Sequence, residues 1–475
     1  MFVGREEELA ALEERYALDS FQMVVLYGRR RVGKTALLEE FCRGKLALMF
    51  TAQVQSDIDN LRDFSRAVAA RFGLPDTTPP FASWMDAFEF IAQRAVEDAP
   101  KGSERLVLVF DEFPYAARAN PALPSTLQIA IDRHFKATSV FLVLCGSNQG
   151  FMENEVLGEK SPLYGRRTAQ LKLRPFDYRD AARMLPEGCS TEDKVSYYAS
   201  LGGTPYYLEA IDPQKSYLEN MTSLFFSRTG LMFDEPNMLL RQELREPAAY
   251  GSVLRAIAGG ANRSNAIANR TGIAPSSITA YLKVLVDLDL VERVVPIGEL
   301  ERSKKSIYRI KDPAFMFWYR FVAPYVTAVE AGLGEDVAAR LLEDERRLEY
   351  EGHVFERVCR EWIVRQARVG GLPIRPTDVG AWWGADPVLH EQTDIDLVAA
   401  DDIEHEAILC ECKWRNSFDE TEVLEGLRGK VRLLPGYRRY WFYVFTKRPV
   451  GEASMQRAAE EGDARFICAE ELYEG

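Results

Sequence analysis

The sequence predicts an α/β protein with two separate sheets and a helical middle. Three observations predict it. Residues 21–41, FQMVVLYGRRRVGKTALLEEF, pass from an apolar run through a glycine-flanked turn into leucines at helical spacing, which reads as strand, loop and helix. Apolar strands recur at 106–113, LVLVFDEF, and 139–150, SVFLVLCGSNQG, each with polar residues at its carboxyl end, where ligands sit in an open parallel sheet. Beyond residue 345 the order becomes helix, three strands, helix, strand, helix, strand, a second sheet of different make.

The bulk properties narrow the function classes. A chain of 475 residues is long for one core. At 47% hydrophobic and 28% charged it is globular material, not a disordered chain. No apolar run approaches the roughly eighteen residues of a membrane span, and the start, MFVGREEELA, is charged where a secretory signal is apolar. A cytoplasmic protein with no membrane partner is therefore expected. A net charge of −13 argues against polyanion binding over the whole surface, so any nucleic-acid contact has to be local. Seven scattered cysteines without CxxC, and only four histidines, read as packing thiols and not as a zinc site.

The first third carries nucleotide chemistry. The loop Gly28-Arg29-Arg30-Arg31-Val32-Gly33-Lys34-Thr35 is a complete GxxxxGK[ST] pattern. Its glycines let backbone amides curl round phosphate oxygens at a helix start. Lys34 is expected to reach the β and γ phosphates of ATP, and Thr35 to hold magnesium. Asp111, at the end of an apolar strand, supplies the second metal ligand, and Glu112 beside it is placed to polarise the attacking water. Ser147 and Asn148 end the next strand, either sensing the γ-phosphate or capping the turn. Arg166 and Arg167 precede a further apolar alternation, either as arginines for a phosphate or as a solvated pair.

FVGREEELAALEE, the loop, VFDEFPY, CGSN, SPLYGRR and GGTPYYL occur in that order. Together they resemble the archaeal-type ATPase family, a branch of the AAA-related STAND nucleotide switches that also occurs in bacteria. The resemblance implies a P-loop, AAA-like parallel-sheet ATPase core over 1–180 and a helical lid over 181–245. It also implies Gly4 and Arg5 near the adenine pocket, Arg167 or Arg166 as an arginine finger, and Gly202, Gly203 and Pro205 at the start of the lid.

From Pro247 the chain reads as three short amphipathic helices and an alternating hairpin, a winged helix-turn-helix over 246–312, which the family also carries. The third helix offers one cation, Lys283. The hairpin offers Arg293, Arg302, Lys304, Lys305 and Arg309 for phosphate contact, so DNA is the expected partner, by its backbone; domain packing is the competing reading. A helical linker over 313–345 follows. Its DPAFMFWYRFVAPYV is dense in aromatics, which at helical spacing points to buried packing more than to base stacking.

The last domain, 346–475, spends costly charge inside its strands. ILCECKW, 408–414, places Glu411 and Lys413 two apart, on one strand face, and Asp396 sits inside the preceding strand with Asp394 two residues before it. Asp396 and Glu411 make an oxygen-rich magnesium site, Lys413 a group for developing negative charge, and Glu356 on the preceding helix a water-orienting acid. The competing reading is a Glu411–Lys413 salt bridge. Gly352-x-x-Phe355-Glu356, Ile395-Asp396 and Glu411-Cys412-Lys413 resemble the PD-(D/E)xK nucleases, which implies an α/β restriction-endonuclease-like domain of resolvase-like or restriction-like type. Thr393 and Asp394 stand where those proteins usually carry a proline. The expectation is an ATP-hydrolysing switch coupled to a magnesium-dependent DNA nuclease, able to form a homo-oligomer. The alternative is a regulatory STAND-type ATPase whose last domain binds DNA or a protein without cutting.

Overall fold

The computed structural model describes residues 2–97 and 105–474. They form two compact units: Met1–Pro175 with Thr204–Tyr206, and Phe176–Gly203 with Tyr207–Gly475.

In the first unit, β1 (Gln22–Tyr27), β2 (Ala47–Thr51), β3 (Val107–Asp111), β4 (Phe141–Gly146) and β5 (Ala169–Lys172) form a sheet in the order β2-β3-β4-β1-β5. Every pairing is parallel. Such strands are covered on both faces, which is why β1, β3 and β4 are buried throughout and read as unbroken apolar runs. Alternate residues feed two cores. Val24, Leu26, Val107 and Val109 pack with Leu37 and Phe41 of the helix Lys34–Cys42, while Val25, Leu108 and Phe110 pack with Phe64 and Phe88 from helices on the other face.

The second unit begins with helices, including Thr191–Leu201. Three helices, Pro247–Ala258, Ser264–Thr271 and Pro275–Asp287, then lead into an antiparallel pair, β6 (Val291–Val294) and β7 (Ile307–Ile310). The 25-residue helix Glu345–Val369 opens the last part. Its strands β8 (Asp378–Ala385), β9 (Gln392–Asp401), β10 (Glu406–Lys413), β11 (Arg439–Thr446) and β12 (Ala464–Cys468) lie in the order β12-β11-β10-β9-β8. β8, β9 and β10 are an antiparallel meander, and β10, β11 and β12 run parallel. The segment after β6 docks on the outer strand: the Ile297 amide donates to the Ala381 carbonyl at 2.9 Å, and its side chain enters the core with Ile395 and Leu409.

Two boundaries differ from the expectation. The break falls at Pro175–Phe176, five residues before the end foreseen for the core domain, because Phe176 packs with Tyr178 and Tyr198 in the second unit. The lid, winged-helix and linker segments are not separate bodies either: one hydrophobic core runs from Phe176 to Leu472. The aromatic stretch of the linker lies in it, with Phe315, Phe317, Trp318 and Phe321 buried, so it offers no stacking platform.

Candidate functional site

At the carboxyl edge of the first sheet, the turn after β1 is shaped by close approach. A Cβ on Gly28 would meet the Leu173 carbonyl oxygen at 2.3 Å, and Gly33 takes φ +88°, so glycine is required at both places. Arg31 also adopts a left-handed conformation, φ 72°. Lys34 is buried and donates to the carbonyls of Gly28 and Arg29 at 2.9 and 3.0 Å, lying back over the loop. Arg29 donates to the Thr204 hydroxyl at 2.7 Å, Arg30 to the Tyr115 hydroxyl, and the Arg31 guanidinium stands 4.7 Å from the Tyr206 ring centre. Val32 is fully buried, and its carbonyl accepts from Arg5 at 2.9 Å. Arg5, which also donates to the Arg174 carbonyl at 2.7 Å, thereby ties the amino-terminal segment to the loop.

The acids meet the loop as their strand positions dictate. Thr35 donates to Asp111 at 3.2 Å, joining the two residues foreseen as magnesium ligands. Glu112, in a left-handed conformation at φ 49°, accepts from the Ser147 hydroxyl at 2.9 Å and from its amide at 3.3 Å. Burial, with Asp111 close by, pushes the neighbouring Cys145 thiol well above its ordinary value, so it packs and does not react. Asn148 caps the following turn by accepting from the Phe151 amide at 2.8 Å. Of the two polar residues there, Ser147 is the one bonded to the acid.

Arg166 and Arg167 lie elsewhere. The β1–β5 register, Val24 opposite Ala169, sets Arg167 level with Gln22 at the amino edge of the sheet. Six residues of strand, roughly 20 Å, separate that level from Gly28. Arg166 pairs with Asp132 at 2.9 Å, and Arg167 donates to the Leu157 carbonyl at 3.0 Å. Neither lies beside the loop of its own chain: the parallel register sends the chain before β5 to the opposite edge.

In the second unit, the β9–β10 ladder ends at the pair Leu397 and Cys410, so Asp396 and Glu411 are the next residues on the two strands. There the Cys412 amide donates to Asp396 Oδ2 at 2.8 Å. Burial pushes the Asp396 carboxyl up to about 7, helped by Glu411 and Glu356. Burial also acts on Glu411, but two ammonium groups outweigh it and hold that carboxyl below its ordinary value. Lys413 reaches Oε1 at 2.6 Å and Lys430 reaches Oε2 at 2.9 Å. Glu356 pairs with His353 Nδ1 at 3.2 Å. Asp394 is exposed, because a register shift opposite β8 interrupts the alternation expected along β9. Among the described residues no three His, Cys, Asp or Glu side chains are gathered as a metal cage.

Sequence reasoning missed Lys430 altogether. It lies in GLRGKVRLL after the helix Glu420–Gly429, with no local signal, and only the return of that helix over β10 brings it to Glu411. In the hairpin, three of the five cations have partners in their own element: Arg293 donates to the Ser306 hydroxyl at 2.9 Å, Lys305 pairs with Glu299 at 2.6 Å, and Arg309 pairs with Glu292. Arg302, Lys304 and, on the third helix, Lys283 are exposed.

A parallel sheet with a GxxxxGK[ST] loop after its first strand, and an acid pair ending the strand next but one to it in the sheet, defines a P-loop ATPase. A family model described as an ATPase domain predominantly from Archaea matches residues 2–211. An uncharacterized protein of Methanocaldococcus jannaschii is 32% identical over 456 residues, which cover 94% of this chain and 96% of the relative. The chain belongs to this family of predominantly archaeal ATPases. An uncharacterized ATP-binding protein of the same organism is 49% identical over 45 residues, 10% of this chain and 76% of that one. A Walker-type ATPase of Pyrococcus abyssi matches at TM-score 0.49 and 22% identity, covering 67% of this chain and 96% of its own. An IclR helix-turn-helix model matches residues 251–294, and a model of archaeal and bacterial proteins of unknown function matches 318–424. No helix among the described residues is long and apolar enough to cross a membrane.

Proposed function

We propose that this ATPase is a nucleotide-driven switch whose second sheet carries a magnesium-dependent centre for cutting a DNA phosphodiester, of resolvase-like or restriction-like type. The observation that carries the reading is Asp396 and Glu411 as the next residues on adjacent strands, with Lys413 two residues further along. The order of helix, three-strand meander, helix, strand, helix, strand supports it. Both acids are hard oxygen donors of the kind magnesium takes; among the described residues Asp396 gives Oδ2 to the Cys412 amide, while Glu411 has to exchange an ammonium for the cation.

In this reading Thr35 and Asp111 hold the magnesium of the nucleotide, Lys34 binds its phosphates, and Glu112 leaves Ser147 to take a proton from the attacking water. In the second unit, magnesium supplies the positive charge that permits attack on a phosphodiester. Lys413 Nζ binds the negative charge that grows on the phosphate, and Glu356, with His353 on Oε1, orients the attacking water. Arg302 and Lys304 grip the DNA backbone. Arg167 serves only between copies, in a homo-oligomer.

Cleavage of plasmid and branched DNA with magnesium tests this. Lys413→Ala is expected to lower cleavage by about 10²-fold or more. Undiminished cleavage in that variant rejects the centre. A second reading, a regulatory ATPase that binds DNA or a protein without cutting, is favoured by one observation: ammonium groups hold both Glu411 oxygens. It expects no scission at any magnesium or manganese concentration, while ATP hydrolysis still depends on Lys34.

A further inference from the structure

Glu411 is the carboxylate in the second site that carries two ammonium groups. Its side chain is 14% exposed, and each oxygen carries one ammonium, Lys413 at 2.6 Å and Lys430 at 2.9 Å. The two lysines reach it from different directions. Lys413 comes from the same strand, two residues on, whereas Lys430 comes from the turn after the helix Glu420–Gly429. A simple ion pair needs one ammonium per carboxylate; here a second one, Lys430, supplies the strongest attraction that Glu411 feels.

We propose that Lys430 is a positioning residue of this site: it occupies Glu411 Oε2 in place of a divalent cation, and when the cation arrives it is released to hold a phosphate of the nucleic acid. The inference rests on the reading of Asp396 and Glu411 as an oxygen-ligand pair. The exchange puts a divalent cation where a monovalent ammonium stood, and the phosphate that receives the released ammonium brings the negative charge that offsets the difference. An ammonium and a divalent cation compete for Glu411, so the cation is taken up weakly until a phosphate gives Lys430 a new partner. Cation and nucleic acid therefore load together. Lys430 is 22% exposed, so its ammonium is partly open to solvent.

Two measurements on the full chain, without nucleotide, test the exchange: calorimetric titration with calcium alone, and DNA binding in calcium over a range of salt. Lys430→Met is expected to bind calcium about tenfold more tightly than the parent, because a competing charge is gone. The slope of log affinity against log salt for DNA is expected to fall by about one, the loss of one phosphate contact. Lys430→Arg, which keeps the charge, is expected to retain the parent slope. If methionine lowers the melting temperature, Lys430→Gln reads the same two quantities. A variant that binds calcium no more tightly than the parent, with an unchanged slope, overturns the role of Lys430 and leaves the acid pair standing. A parent chain that takes up no calcium even with DNA present overturns both.

Discussion

Both units bring a lysine and two acids together beside buried strands, yet they hold them in opposite ways. At the phosphate loop, Lys34 lies on two backbone carbonyls, Asp111 accepts from the Thr35 hydroxyl, and Glu112 accepts from Ser147. In the second sheet Glu411 is clamped by Lys413 and Lys430. Exchanging a hydroxyl or carbonyl for a phosphate or a cation costs less, because each of these bonds has one neutral partner and is worth about 1.5–3 kcal/mol. Opening a partly buried ion pair costs more, since it leaves charge behind. The first site is poised for its ligand; the second has to be unlocked.

The contrast breaks most visibly at Glu112. If its bond to Ser147 is only a resting place, Glu112→Gln is expected to lower ATP hydrolysis by about 10²- to 10⁴-fold while nucleotide binding persists, measured by steady-state phosphate release and a fluorescent ATP analogue. Retained hydrolysis would move the water-activating role to another group. Acidity sharpens the contrast next. Asp396 is raised from 3.8 to about 7, so between those values the folded chain holds a proton that the unfolded chain has released. Stability is therefore expected to fall as pH rises through that window and to stay low above it. Asp396→Asn should flatten the trend by roughly 1–2 kcal/mol, read from urea unfolding at pH 5 and pH 8; calcium should restore part of the loss at pH 8. The smallest effect is expected at Arg167. In dilute protein, Arg167→Ala should change ATP hydrolysis by less than about twofold, because the side chain lies at the far edge of the sheet. A large loss that appears only at high protein concentration would point to action between copies.

What could be read in advance was what is local. Eight consecutive residues, Gly28 to Thr35, fix a phosphate loop by themselves, and an acid at the end of an apolar strand must emerge at its carboxyl edge. The order of elements after residue 345 was equally legible from its alternations. Register was not: nothing in SPLYGRR says which edge of the sheet the next strand starts from, so the sequence left open where Arg166 and Arg167 lie. Nor could patterning show that the lid, the three helices and the last sheet share one core, since that depends on which apolar faces meet. In the hairpin, a count of cations overstated what DNA could use, because Glu292 and Glu299 take two of them.

The docking of Ile297 against Ala381 bears on how the last sheet can be handled. β8 is its outer strand, and a bare row of amides and carbonyls is a template on which further strands add. The segment after β6 shields part of that row and fills the hydrophobic pocket beneath it. A fragment cut at residue 345 leaves this shield behind, so it should clump on expression and look inactive for reasons of solubility alone. A soluble fragment has to keep the hairpin with the sheet and, because the shared core starts at Phe176, to begin no later than that residue.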